Sequence, residues 1–287
     1  MIKDFFIVTK FILSFAVSLS ALFAYIMAKG ELGFDMLYAT FAVLLVAMGV
    51  STLNQVQEYR EDSKMDRTKN RPIASGRMSP KTGLIIAFSL IFISLIVIYM
   101  LLGLTGVNFF GFAFIWYNLI YTPLKKRSAL AVVPGAILGV IPPAIGWLTA
   151  GHGLKELEFM AVAMYYFIWQ VPHFWLLVML FHGDYKDGGY PTAIRLFGEG
   201  RLQRLTFVWL VLTIQAGIFM VYSFNVYMLT TIILTSLVGL WAFYVSLSLL
   251  GKAFQLKDAR ALFWKINASF LGIIILLSID EYVKHHI

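Results

Sequence analysis

The chain has 287 residues, of which 60% are hydrophobic, 16% are aromatic and only 13% are charged. Soluble domains carry roughly 25% charged residues, so a chain this apolar cannot clothe itself in polar surface and its solvent is expected to be lipid. The net charge of +8 then reads as basic residues at membrane-edge loops rather than a nucleic-acid surface, and the absence of cysteine removes disulfides and thiolate metal sites.

At the N-terminus, Met1-Ile2-Lys3-Asp4 leads into a long apolar run with Lys10 near its start. That run is longer than the core of a signal peptide and lacks a small-residue cleavage site, so a retained first span is expected. There is no Arg- and Ser-rich presequence, which argues against organellar import. A helix crosses the bilayer with about 20 apolar residues. Nine stretches qualify, at 5–28, 34–53, 82–103, 107–122, 131–150, 159–182, 204–223, 227–249 and 262–282. The fourth is short and contains Gly111, and the seventh and eighth meet tightly at Asn225. Backbone polar groups in lipid must be satisfied within the segment, and the runs are too long for barrel strands. The expected fold is therefore all-α. It is a single polytopic membrane domain, residues 1–287, of nine transmembrane helices around a central cavity, capped by polar loops.

With nine spans, the N-terminus and the loops after the even-numbered spans share one side. That side holds all but Lys29, Lys155, Lys265 and Lys284 of the 23 basic residues. The asymmetry places the N-terminus and both long polar loops, 54–81 and 183–203, in the cytoplasm and the C-terminus outside. The repeated short-long loop pattern hints at two related halves, although no sequence repeat accompanies it.

After the second span, Asn54, Glu58, Asp62 and Asp66 recur four apart, so on a helix they lie nearly above one another. If the span continues as helix past Leu53, the first three form a ladder of oxygen ligands, followed by Arg67, Lys69 and Arg71, with Pro72 expected to end the helix. Hard oxygen ligands suit Mg²⁺, which keeps several waters and bridges one or two carboxylates to a diphosphate, while guanidinium groups hold phosphate oxygens in pairs. The competing reading is a solvated, salt-bridged juxtamembrane helix, with each pair worth only a few tenths of a kcal/mol. In "FHGDYKDGGYPTAIRLFG", Asp184 and Asp187 follow the sixth span, with Lys186 and Arg195 nearby. A second acid cluster on the same side supports a two-metal clamp, although Asp-Gly-Gly with Pro191 is also strong turn chemistry. Tyr121, Lys125, Lys126 and Arg127 follow the fourth span. Tyr121 and Lys125 are four apart and within reach of the same diphosphate, but on spacing alone a purely topogenic triplet is the better reading. His173, in "WQVPHFWLL", lies inside the sixth span, where an ionisable residue is a functional candidate by default. A neutral imidazole bonded between helices is the bland alternative. Pro172 is expected to kink the span and open a cavity, and His285 and His286 are read as surface residues.

Taken together, these stretches resemble the UbiA superfamily of intramembrane prenyltransferases over nearly the whole chain. The family pattern Asn-x3-Asp-x3-Asp-x2-Met-x-Arg-Thr-x2-Arg-Pro matches Asn54, Asp62, Met65, Arg67, Thr68, Arg71 and Pro72, with Glu58 where Asp is usual. Tyr121-Thr122 with Lys125 and Arg127 matches the basic motif after the fourth span. "PPAIGW" (Pro142 to Trp147), "WQVPHF" (Trp169 to Phe174) and Asp184-Tyr185 resemble the branch that prenylates heme, and "DARALF" (Asp258 to Phe263) resembles the family's entry to the last span. Departures are Glu58, Phe11 in place of the Pro that usually follows Thr9-Lys10, and the second loop beyond its Pro.

The resemblance implies Mg²⁺-dependent transfer of a farnesyl group from farnesyl diphosphate to a vinyl group of heme B, in a bacterial cytoplasmic (inner) membrane. It implies catalytic roles for Asn54, Glu58, Asp62, Asp184 and Lys125. Metal contacts would come from Asn54, Glu58, Asp62, Asp184 and Asp187. Diphosphate contacts would come from Arg67, Arg71, Tyr121, Lys125, Lys126 and Arg127, and a heme contact from His173. A heme A synthase or oxidase assembly factors would be its partners. The alternatives are an aromatic quinone precursor as acceptor, a transporter or cation channel using Asn54, Glu58 and Asp62, and a non-catalytic heme-binding assembly protein. Channel acids are expected deeper in the membrane than these.

Overall fold

In the computed structural model, which describes residues 2–251 and 254–287, the described residues form helices and connecting turns without a strand. Met1, Lys252 and Ala253 lie outside the described residues. Helix α1 (Ile2–Val8) leads to α2 (Phe11–Lys29), and α3 (Phe34–Asp62) follows. Next come α4 (Pro80–Phe114), a π-helical turn at Ile115–Tyr121, and short α5 (Thr122–Lys125) and α6 (Val132–Gly135). The chain continues through α7 (Ile141–Thr149), α8 (Leu157–Leu180), short α9 (His182–Asp187) and α10 (Ala193–Phe197). It ends with α11 (Glu199–Ser223), α12 (Leu229–Ser246) and α13 (Ala259–Lys284).

Eight stretches of the described residues are long and apolar enough to cross a membrane, where the sequence suggests nine. The difference lies in Pro80–Lys125, 46 residues counted as one stretch. A straight helix of that length would run roughly 69 Å, more than twice the roughly 30 Å hydrocarbon core. Gly103 interrupts it, with φ 56° and ψ −142°, a conformation open to glycine and costly for other residues. Beyond it the chain doubles back, since a Cβ on Gly106 would meet the Ile98 side chain at 2.5 Å. The expected spans 82–103 and 107–122 fall on either side of this break.

The first expected span, 5–28, is also broken. Thr9 and Lys10 separate α1 from α2, and Lys10 adopts the left-handed conformation at φ 47°. The break frees backbone carbonyls inside the protein, and unpaired ones would be costly. Buried Gln55 on α3 supplies the donors: its Nε2 donates to the carbonyls of Ile7 and Val8 at 3.0 and 2.9 Å. The Thr52 hydroxyl also donates to Val8 O.

The long helices form two packed groups. Helices α2, α3, α4 and α7 share one core around Ala21, Val43, Ile98, Phe110 and Ile145. Helices α8, α11, α12 and α13 surround a second, with Leu176, Met179, Leu202, Leu210 and Ile266 inside. Contacts of α2 with α13 and of α7 with α8 join the groups. Gly146 on α7 lets α2 approach, because a Cβ there would stand 2.0 Å from the Ala21 carbonyl oxygen. Large apolar side chains such as Ile12, Phe92, Met100, Leu104, Leu240 and Trp264 remain exposed, as a lipid-facing surface requires. The protein is an integral membrane protein.

Both long polar segments lie at one end of the bundle and touch. Gly188 packs on Met65, and Arg67 stacks over the Phe181 ring at 4.8 Å. The opposite end gathers Gly30 and the C-terminal His285.

Candidate active site

The ladder read from the sequence exists. Helix α3 continues through Asp62, and Asn54, Glu58 and Asp62 are 1%, 3% and 2% exposed. The helix ends there rather than at Pro72. The chain turns after Asp62, where the Thr68 hydroxyl donates to Asp62 O at 2.8 Å. Asp66 is thus outside the ladder, exposed and paired with Lys69 at 2.6 Å.

Each ladder residue meets a base from another segment. Lys125 Nζ lies 2.6 Å from Glu58 Oε2, and Arg71 donates to Asp62 Oδ2 at 2.7 Å. Lys10 Nζ donates to Asn54 Oδ1 at 3.2 Å, and Asn54 Nδ2 donates to Glu58 Oε2 at 2.9 Å. Sequence alone places Lys10 inside the first expected span, 5–28, near the start of its apolar run. The structure instead turns it into the cluster at the break before α2, where its ammonium meets the Asn54 amide oxygen. A signal was present: an ionisable residue inside an apolar run.

The π-helical turn supports the ladder from the other side. Asn118 is fully buried and donates to Val50 O and Gln57 Oε1 at 3.1 Å, while Gln57 Nε2 donates to Asn118 O at 3.0 Å. Asn54 Nδ2 also donates to Thr122 Oγ1 at 3.1 Å. Such turns recur at functional sites because they rotate side chains off the regular helical register. Here the turn precedes Lys125, whose Nζ sits 5.6 Å from the Tyr121 ring centre.

Of the basic triplet only Lys125 enters the cluster. Lys126 pairs with Glu61 at 2.7 Å, and Arg127 is exposed. Successive residues of a helical turn do not face the same way, so the three expected diphosphate contacts separate. In the second loop, Asp184 lies on α9 with Arg67 Nε 3.9 Å from its Oδ2, which brings the two acidic segments together. Asp187, three residues on, is exposed. Tyr190 stands beside Glu58, and burial together with that carboxylate pushes its phenol up.

Among the described residues no group of three or more His, Asp or Glu side chains is close enough to hold a metal ion. The five expected ligands are therefore not gathered into a cage. Mg²⁺ needs no such cage, since it takes one or two carboxylates and fills its other positions with water and phosphate oxygens. One observation fits it: among the described residues Glu58 Oε1 is buried and accepts no aligned hydrogen bond, with the Tyr190 phenol beside the carboxylate, a costly state for a carboxylate oxygen without a cation.

His173 lies apart from this cluster, on α8. Its Nδ1 is 2.8 Å from Asn267 Oδ1 on α13, and the Trp169 and Phe263 rings flank it at 4.6 and 4.8 Å. Helix α8 continues through Pro172 without interruption.

The UbiA prenyltransferase family pattern matches residues 16–267. The chain belongs to the UbiA prenyltransferase family. It is 31% identical to a protoheme IX farnesyltransferase of Flavobacterium psychrophilum, over 98% of this chain and 95% of that one. It is 33% identical to a protoheme IX farnesyltransferase of Christiangramia forsetii, over 100% and 96%. With the one from Oleidesulfovibrio alaskensis it shares 36% identity over 61% of this chain and 62% of that protein. Among solved structures, a UbiA homologue from Archaeoglobus fulgidus bound to DMAPP and Mg²⁺ superposes with a TM-score of 0.74 at 10% identity, covering 98% of this chain and 99% of that one. A digeranylgeranylglyceryl phosphate synthase superposes with a TM-score of 0.76 at 14% identity, over the same shares. At these identities the two structures establish the fold.

Proposed function

We propose that this membrane prenyltransferase transfers a farnesyl group from farnesyl diphosphate to a vinyl group of heme B, with Mg²⁺ as cofactor. The observation that carries prenyl transfer is the buried Asn54–Glu58–Asp62 ladder meeting Lys10, Arg71 and Lys125 at one end of an apolar bundle. The near full-length relatives supply the acceptor.

Glu58, Asp62 and the Asn54 amide oxygen would hold the metal, with Asp184, and Asp187 from the exposed side, completing the acidic face. Bound there, Mg²⁺ would supply positive charge against the diphosphate. Arg71, Arg67, Lys125 and Lys10 would neutralise the oxygens of the leaving group, with Tyr121 beside Lys125. Lys126 and Arg127 would contribute to the basic field rather than to contacts. In the reaction the C1–O bond of farnesyl diphosphate breaks and the electron pair leaves with the diphosphate. A new bond joins C1 to the terminal vinyl carbon. Water adds its oxygen to the carbon next to the porphyrin ring and gives up a proton, so a hydroxyethylfarnesyl side chain results. Apolar walls keep other water from the allylic cation. His173 would contact heme, with Nε2 as an axial ligand.

The whole chain acts as one domain in a bacterial cytoplasmic membrane. Its two polar loops and N-terminus are cytoplasmic and its C-terminus is outside, on the bias of basic residues. The protein would hand its product to a heme A synthase or to oxidase assembly factors.

Purified protein incubated with farnesyl diphosphate, Mg²⁺ and either heme B or an aromatic quinone precursor tests this. The expected product is heme heavier by a farnesyl group plus water. Prenylation of the aromatic acceptor alone would refute the heme assignment.

A further inference from the structure

We infer that Asn267 is a positioning residue that fixes His173 in one tautomer and presents Nε2 to iron, an inference that rests on the heme reading above. The amide orientation follows from its own bonds. Asn267 Nδ2 donates to the Phe263 carbonyl at 2.5 Å, one turn back on α13. Oδ1 is therefore the atom that faces His173 Nδ1 at 2.8 Å. An amide oxygen only accepts, so Nδ1 carries the proton and Nε2 carries the lone pair. Nε2 makes no hydrogen bond to the described residues.

This is the arrangement of a metal-binding histidine, whose far nitrogen donates to an oxygen that sets its tautomer, orientation and basicity. His173 is only half-buried and its Nε2 is not among the buried unpartnered atoms, so that nitrogen is open to a ligand. Aromatic rings fix the imidazole in place. Trp169, which stacks on Phe270 at 4.0 Å, and Phe263 hold the imidazole between them. The Trp169 Nε1 is buried and has no acceptor, so the same wall carries a donor that a ligand oxygen would satisfy.

The separation from the acidic cluster also suits two substrates. His173 lies seven positions before the end of α8 at Leu180, roughly 10 Å at helical rise, and Asp184 lies beyond that end, on α9. That places an iron ligand deeper in the membrane than the diphosphate site.

The test uses the full chain in detergent, titrated with ferric heme B. Soret absorbance and the midpoint potential of the bound heme are read for the parent, His173→Ala, Asn267→Leu and Asn267→Asp. His173→Ala is expected to lose the histidine-ligated spectrum. Asn267→Leu is expected to weaken heme binding 10- to 100-fold, the usual effect of losing such a partner. Asn267→Asp keeps an acceptor and makes it anionic, so binding is retained and the potential falls, because a more basic imidazole favours ferric iron. A parent-like spectrum in His173→Ala overturns the heme contact itself. Loss in His173→Ala with parent-like affinity in Asn267→Leu and parent-like potential in Asn267→Asp overturns the role of Asn267 alone. If Asn267→Leu does not fold, the potential of Asn267→Asp decides, and an unchanged value overturns the inference.

Discussion

Replacing Lys125 by Met should tighten Mg²⁺ binding to the substrate-free protein while weakening farnesyl diphosphate binding. The Lys125 ammonium is 2.6 Å from Glu58 Oε2, and their side chains are 24% and 4% exposed. A metal bound through the free Glu58 Oε1 must share the carboxylate with this ammonium on Oε2, whose positive charge opposes it. A hydrogen bond between charged groups contributes about 1.5–3 kcal/mol, and the quarter exposure of Lys125 favours the lower end through solvent screening. Removing the competitor should therefore raise Mg²⁺ affinity about tenfold, the equivalent of about 1.4 kcal/mol. The same substitution removes a cation from the diphosphate, so KM for farnesyl diphosphate should rise by a similar factor or more. Isothermal titration with Mg²⁺ alone, followed by steady-state kinetics at saturating Mg²⁺, separates the effects. Unchanged or weaker Mg²⁺ binding in Lys125→Met would show that Lys125 and the metal do not share Glu58.

Three other substitutions probe the site and the scaffold. Lys126→Ala should change KM for farnesyl diphosphate less than about threefold, because its ammonium is paired with Glu61 and such partly exposed pairs contribute under about 1 kcal/mol; a loss like that of Lys125→Met would contradict the separation of the triplet. Lys10→Met should raise KM for farnesyl diphosphate about tenfold, with the fold intact by circular dichroism, and a parent-like KM would remove Lys10 from the site. Gly146→Ala should destabilise the protein by about 1–3 kcal/mol, seen as a lower Tm in detergent, because the new methyl would meet Ala21 O; an unchanged Tm would mean that α2 and α7 part freely.

The acidic ladder was legible because its spacing depends only on helical period, and α3 is regular through all three positions. Its end was not, because the turn after Asp62 is set by Thr68 and Arg71 bonding back to it rather than by the rule for Pro72. Lys10 was hidden for a related reason. The break at Thr9–Lys10 is stabilised by Gln55, 45 positions further on, and local hydropathy carries no trace of that pairing. The basic triplet was legible as charge but not as direction, since only the geometry of the turn after Tyr121 separates Lys125 from its neighbours. The apolar stretches on either side of Gly103 were legible as hydropathy, while the break between them depends on one residue's positive-φ backbone. His173 was singled out by its depth. Its partner Asn267 lies 94 positions away, and only the packing of α8 on α13 brings them together.

The central claim is that one cluster holds both metal and diphosphate. Electron–nuclear double resonance on Mn²⁺ in place of Mg²⁺, with farnesyl diphosphate bound, tests it most directly. The parent should show ³¹P coupling to the metal, and the coupling should disappear with loss of Mn²⁺ affinity in Asp62→Asn and Glu58→Gln. A ³¹P-coupled Mn²⁺ bound as tightly in both variants as in the parent would place the metal elsewhere and contradict the account.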